Sequence, residues 1–167
     1  MHRMNVKMKV LVTGGTGLVG KHLREIEPGW KYLGSDDCDL TIIEDVERLL
    51  EKEQPDRIIH LAAKVGGILQ NISNPADFYD ENIRMNTNLL IASKNAGIPR
   101  LTSVLSTCMY PDKVDSYPMS EADLHKGPPA ASNLSYGYSK RCAAVQIEAY
   151  RSQHKLDYNY LVPCNLY

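Results

Sequence analysis

The chain is poor in the residues that would staple a small fold or hold a metal. Its four cysteines, Cys38, Cys108, Cys142 and Cys164, are scattered, with no CxxC pair and no clustered histidine beside any of them. That spacing excludes a disulfide framework and a zinc site, so no metal is expected. An excess of charge of either sign is also lacking. Lys and Arg number 19 against 20 Asp and Glu, a net charge of −1 that leaves no electrostatic footprint for nucleic acid or an anionic membrane. No apolar run approaches the length needed to span a bilayer, and Met1 to Met8 lacks the apolar segment of a signal peptide, so a cytoplasmic location is expected. Internal repeats and low-complexity tracts are absent as well. What is present, 43% hydrophobic and 23% charged residues in 167, suits one soluble globular domain with a real core.

The most informative stretch is Lys9 to Lys21, KVLVTGGTGLVGK. Val10, Leu11 and Val12 read as a strand covered on both faces, and Leu18, Val19, Leu23 and Ile26 give the 3.6-residue period of a helix. Gly14, Gly17 and Gly20 stand between and within them. In such a βα turn the first glycine permits the reversal, the second lets backbone approach a pyrophosphate, and the third lets helix and strand pack closely. The helix N-terminus supplies free N–H donors and partial positive charge to the phosphates. A dinucleotide is therefore expected across Gly14, Thr16, Gly17 and Leu18.

The rest of the chain alternates. Trp30 to Leu33 reads as a second strand, ending in Gly34-Ser35-Asp36-Asp37, where a dinucleotide fold meets the adenosine ribose. Ile43, Val46, Leu49 and Leu50 follow helical spacing up to Gln54-Pro55. Arg57 to Ala63 is a third strand, with His60 inside it as a satisfied core residue rather than a catalyst. Pro75 to Gly97 carries the longest helical signal, with a core stripe at Phe78, Met85, Leu89, Ala92 and Ala96. Leu101 to Leu105 is a fourth strand, Asp112 to Ser135 a polar loop, Tyr136 to Tyr150 a helix and Asp157 to Val162 a fifth strand. Strands alternating with helices imply right-handed crossovers and an α/β, doubly wound parallel sheet. The expected strand order is 3-2-1-4-5, with the ligand crevice at the carboxyl ends of strands 1 and 4 and Ser106 to Cys108 at its mouth.

Tyr136-Gly-Tyr-Ser-Lys140 sets a phenol and an ammonium at i and i+4 on one helix face. A neighbouring ammonium favours phenolate, so Lys140 is expected to lower the Tyr136 pKa and fit it for acid/base work. A hydroxyl at the end of strand 4, Ser106 or Thr107, is placed to bond the same substrate oxygen.

Taken together, AAKVGGI, LSTCMYP, GPPAASN and YGYSK resemble the extended short-chain dehydrogenase/reductase family, and within it the GDP-L-fucose synthases. Cys108 and Met109 stand where the related dehydratases usually carry an Asp-Glu pair, which argues against dehydration. The resemblance implies a reductase triad of Ser106, Tyr136 and Lys140, with Cys108 as the acid/base beside the keto group. It implies a cofactor site of Gly14, Thr16, Gly17, Leu18, Val19, Asp39, Leu40, Leu61, Ala62, Ala63, Val65, Tyr136, Lys140 and Pro163. Thr107, Asn133 and Asn165 are implied to touch the substrate, a GDP-sugar.

The implied reaction converts GDP-4-keto-6-deoxymannose to GDP-L-fucose by 3,5-epimerisation and NADPH-dependent reduction at C4. The cofactor implied is NADP, while Asp36, where a basic residue would help hold a 2′-phosphate, leaves NAD open. The family's second epimerisation residue, a histidine, belongs to the segment after Tyr167. Residues 1–167 therefore read as the dinucleotide-binding domain, truncated after the fifth strand, with the C-terminal substrate domain absent and little activity expected of the chain alone. Two other readings stand: a free-standing dinucleotide-binding module without turnover, and another sugar-nucleotide epimerase or dehydratase. The helix from Tyr136 carries two apolar rows, Tyr138, Cys142, Val145 and Ala149 beside Ala143, Ala144 and Ile147. One row covers the sheet and the other needs a partner, so a homodimer is expected.

Overall fold

The computed structural model describes residues 8–114, 116–164 and 166. Five parallel strands form one sheet: β1 (Val10–Thr13), β2 (Lys31–Leu33), β3 (Arg57–His60), β4 (Arg100–Val104) and β5 (Asp157–Leu161). Helices α1 (Leu18–Ile26), α2 (Ile43–Glu53), α3 (Ile68–Ser73), α4 (Pro75–Asn95) and α5 (Leu134–His154) connect them. All four residues of β1 are buried, as an apolar β-branched run covered on both faces requires.

Local chemistry explains where the helices stop and start. Glu44 and Asp45 open α2 and Lys52 closes it, each charge complementing the helix dipole, and Gln54 ends it in a left-handed conformation (φ 44°). Pro75 takes the first turn of α4, where its missing N–H costs no hydrogen bond.

The doubly wound parallel sheet is as expected, but its order is β2-β1-β3-β4-β5. The third strand in sequence therefore lies inside the sheet, not at the far edge beyond β2. It pairs with β1 (Val12↔Ile59) on one side and with β4 (Ile58↔Leu101) on the other. Ile58 and His60 are buried, and an edge position would leave one row of their backbone groups unpaired. The edge falls instead to β2, three residues long and opening on exposed Lys31. Winding consequently reverses between β1 and β3, and the crevice opens at the carboxyl ends of those two strands rather than of the first and fourth.

Leu11, Leu33, Val46, Leu50, Ile58, Leu89, Leu101, Ile147 and Tyr158 belong to one core between the sheet and its helices. A second cluster, Leu105, Met109, Leu124, Ala143 and Ala144, lies under the end of β4. Of the stripe expected on α4, Phe78, Leu89 and Ala92 are buried, Met85 is half-buried, and Ala96 is an exposed cap beyond the last helical turn. Among the described residues no helix is long and apolar enough to cross a membrane.

Candidate active site

A cleft of about 700 Å3 opens at the carboxyl ends of β1 and β3. Its floor is the turn from β1 into α1. Gly14 adopts φ +71°, and a Cβ there would lie 2.6 Å from the Ala62 nitrogen, so only glycine lets the turn pass this close to the end of β3. Gly20 meets Gly15 in the same way, its absent Cβ falling 2.6 Å from the Gly15 Cα. Gly17 caps α1, leaving the first-turn amides of Leu18, Val19 and Gly20 without intrahelical acceptors and directed at the cleft.

Around that floor stand Thr16, Asp39, Leu40, Leu61, Ala62, Ala63 and Val65, together with Gly14, Gly17, Leu18 and Val19. Asp39 accepts from both the backbone and the hydroxyl of Thr41, which holds its carboxyl below the usual range. The cleft also takes in residues that sequence patterning assigns elsewhere. Met85 follows the core period of α4 and Val104 belongs to the fourth strand, while Cys38, Lys64 and Glu81 carry no pattern of their own. An apolar slot with helix-end donors and a glycine floor fits a dinucleotide: Leu40, Leu61 and Ala62 would hold flat rings, and the α1 amides would hold phosphates. Lys64 is the single cationic side chain among the described lining residues, and it pairs with Glu81.

Beside the cleft, though not among the residues that line it, stand polar residues from the end of β4 and from α5, Tyr136 and Lys140 included. Beyond β4, Ser106 opens a 3-10 turn, Thr107–Met109, and its Oγ accepts from the Cys108 amide at 3.2 Å. Tyr136 stands beside Ser106 and close enough to Cys108 to feel its charge. Burial, with the Cys108 charge adding to it, pushes the Tyr136 phenol up to about 12. This corrects the expectation from Tyr-Lys spacing: desolvation dominates, and Tyr136 is a neutral phenol, a proton donor.

Lys140 is buried, its Nζ 5.8 Å from the Tyr136 ring centroid and donating to the Val104 carbonyl at 3.2 Å. Val104 is a cleft-lining residue, so the ammonium lies just behind the wall. Burial lowers the Lys140 pKa to about 8. Beneath it, His60 receives the Thr13 hydroxyl at Nδ1 (2.7 Å) and donates from Nε2 to Asn86 (3.0 Å). Burial, assisted by the Lys140 charge, depresses its pKa to about 4, so it is a neutral, satisfied core residue.

Thr107 and Asn133 are half-buried, on the 3-10 turns before and after the 112–130 loop. Pro163 follows β5 and does not line the cleft. Asn165 lies outside the described residues. Among the described residues, no cluster of three or more His, Cys, Asp or Glu side chains is gathered in metal-binding fashion.

Comparison with known proteins agrees with this geometry. Residues 10–167 match the NAD dependent epimerase/dehydratase family. A probable GDP-L-fucose synthase of Drosophila melanogaster is 43% identical over 95% of this chain and 51% of its own length. The GDP-L-fucose synthase of Dictyostelium discoideum is 40% identical over 96% of this chain and 52% of its own. Among solved structures, a GDP-L-fucose synthetase from Naegleria fowleri bound to NADP superposes with a TM-score of 0.83 at 37% identity, covering 96% of this chain and 55% of that one. The chain thus spans about half the length of the curated relatives it matches. With a family match running from β1 past β5, and a glycine-floored cleft at the strand ends, the chain belongs to the NAD dependent epimerase/dehydratase family.

Proposed function

We propose that this chain is the cofactor-binding and catalytic portion of a GDP-L-fucose synthase. The observation that carries the reading is the gathering of Ser106, Cys108 and Tyr136 beside the dinucleotide cleft, with Lys140 bonded to the cleft-lining Val104. The Naegleria relative supports NADP as the cofactor. When bound, NADPH supplies the hydride that reduces the C4 ketone of GDP-4-keto-6-deoxymannose.

The protein's own groups handle the protons. Protons on the carbons beside a ketone are acidic, and Cys108 is the base that takes one from the ring carbon, leaving an enolate; the proton that inverts the centre must come from a second acid on the opposite face. Ser106 bonds the ketone oxygen and Tyr136, held protonated by burial, donates its proton there as hydride arrives at C4. Lys140 carries the positive charge that attends the loss of that proton. The grip on the GDP moiety and the second epimerisation residue are assigned to the half of the relatives that this chain does not span. Remote binding energy orients the sugar. The 167-residue chain alone is therefore expected to bind cofactor while turning over little.

Calorimetry with NADPH and with NADH tests the reading. Saturable binding is expected. A folded chain that binds neither would overturn it.

A further inference from the structure

We propose that Arg141 is a positioning residue for Cys108, locking the thiol-bearing turn against the helix that carries Tyr136. The inference rests on the functional reading above and adds to it a residue outside the cleft. The α5 helix presents two i,i+4 pairs side by side. Tyr136 and Lys140 face the chemistry; Gly137 and Arg141 occupy the adjacent stripe.

Arg141 is 7% exposed and meets backbone carbonyls rather than a carboxylate. Its Nε and Nη2 donate to the Met109 carbonyl at 2.9 and 2.6 Å, and its Nη1 donates to the Gly127 carbonyl at 2.9 Å. The guanidinium carbon lies 5.2 Å from the Tyr138 ring centroid. A buried cation held by neutral carbonyls is costly to desolvate, and an apolar side chain of similar size would fill the space more cheaply. What a methionine there would not do is join two separate segments: Met109 ends the Ser106–Cys108 turn, and Gly127 begins the Gly-Pro-Pro loop.

Gly137 acts on the same two segments. A Cβ at Gly137 would lie 2.5 Å from the Cys108 carbonyl oxygen and 2.7 Å from the Pro129 Cβ, so the helix touches both directly. A third link, Asp112 N to Pro128 O at 2.9 Å, closes the loop on the turn. The fork of Arg141 and the bare face of Gly137 therefore set where the Cys108 thiol stands relative to Tyr136. Lysine offers a point charge instead of a fork and cannot span both carbonyls in this geometry.

Site-resolved alkylation with iodoacetamide, followed by peptide mapping, tests the assignment on the chain itself. Cys108 reports on the turn, and half-buried Cys38, packed against the main core, reports on global loosening. In Arg141→Met the Cys108 rate is expected to rise roughly threefold or more, because local opening of the turn becomes easier, while the Cys38 rate holds. Arg141→Lys is expected to fall between, and serves if the methionine variant does not fold. Gly137→Ala should raise the Cys108 rate by a separate route. An unchanged or slower Cys108 rate in both Arg141 variants would overturn the proposal. So would parallel acceleration of Cys108 and Cys38, which would mark Arg141 as a general stabiliser only. Binding of NADPH by the parent chain is measured alongside. Its absence would sink the functional reading while leaving the Cys108 rates to judge Arg141.

Discussion

Burying Lys140 makes the stability of the molecule depend on pH in a direction opposite to that of a lysine gaining a salt-bridge partner. Its pKa falls from 10.5 to about 8 on folding, so between those values the unfolded chain binds the extra proton. Stability from this group is lowest below pH 8 and recovers as pH rises toward 10.5. Between pH 8 and 10 the wild type should gain about 2 kcal/mol on Lys140→Met, read from urea midpoints of the pair; a constant difference would show the ammonium to be better solvated than its burial implies. The adenosine end of the cleft carries a second residue-level consequence. Asp37 accepts from the Gly34 amide at 2.8 Å, Asp39 is taken up by Thr41, and no cationic side chain among the described lining residues stands there. A 2′-phosphate thus gains amide and hydroxyl donors but no charge pairing. NADH is expected to bind within about tenfold of NADPH, a gap near 1.4 kcal/mol, in paired titrations; a hundredfold preference for NADPH would refute this. The i,i+4 placement of Tyr136 and Lys140 was legible in the sequence because it needs only helical period. The sense of the Tyr136 shift was not, because desolvation depends on what the fold stacks above the phenol.

At the scale of elements, the turn from β1 into α1 was readable to the residue, since glycines at fixed offsets between a β-branched run and a 3.6 period allow few other structures. Gly20 gives a test in which two principles oppose. Helix propensity favours alanine over glycine by about 1 kcal/mol. Yet a Cβ at Gly20 would sit 2.6 Å from the Gly15 Cα and 2.7 Å from the Gly14 carbonyl, both backbone atoms. Packing wins, because α1 must lift from β1 to admit the methyl. Gly20→Ala should lose about 1–3 kcal/mol by thermal or urea unfolding, and weaken NADPH binding by moving the first-turn amides. A stabilised variant would mean that helix and strand are more loosely joined than these distances require. Strand order was harder to read. Periodicity marks β3 as buried on both faces but says nothing of which strands flank it; that is decided by hydrogen bonds on both of its edges. The α3 helix, Ile68–Ser73, was also missed: its Gly66-Gly67 approach reads as a break, and the helix entrance is held by Asn71 donating to both glycine carbonyls, a local side-chain contact that apolar periodicity does not register.

For the whole molecule, the question is what covers the outer face of α5. Ala143, Ala144 and Ile147 are buried against the sheet side, which accounts for one of its apolar rows. The other row, Tyr138, Cys142, Val145 and Ala149, faces outward, with Val145 49% exposed. The α4 helix lies alongside, Thr87 bonding Gln146 at 3.2 Å and Tyr79 standing near Cys142, and Tyr79 is 38% exposed at the margin of the same face. A two-fold axis through this face would bring two helices from each copy together as a four-helix bundle, each residue meeting its symmetry mate's surroundings. We therefore propose a homodimer through α4 and α5, and its symmetry supplies the test. Val145→Glu would place two carboxylates in the dimer, one from each copy. Burying an unpaired carboxylate costs several kcal/mol, so the dimer Kd should rise by at least about a hundredfold. The position is exposed in the single chain, so the variant's unfolding midpoint, extrapolated to low concentration, should match the wild type. Light scattering across a dilution series reads the Kd, and urea unfolding across the same series reads the midpoint. A wild-type chain that stays monomeric at high micromolar concentration would refute the dimer, as would a Val145→Glu variant that dimerises as tightly as its parent.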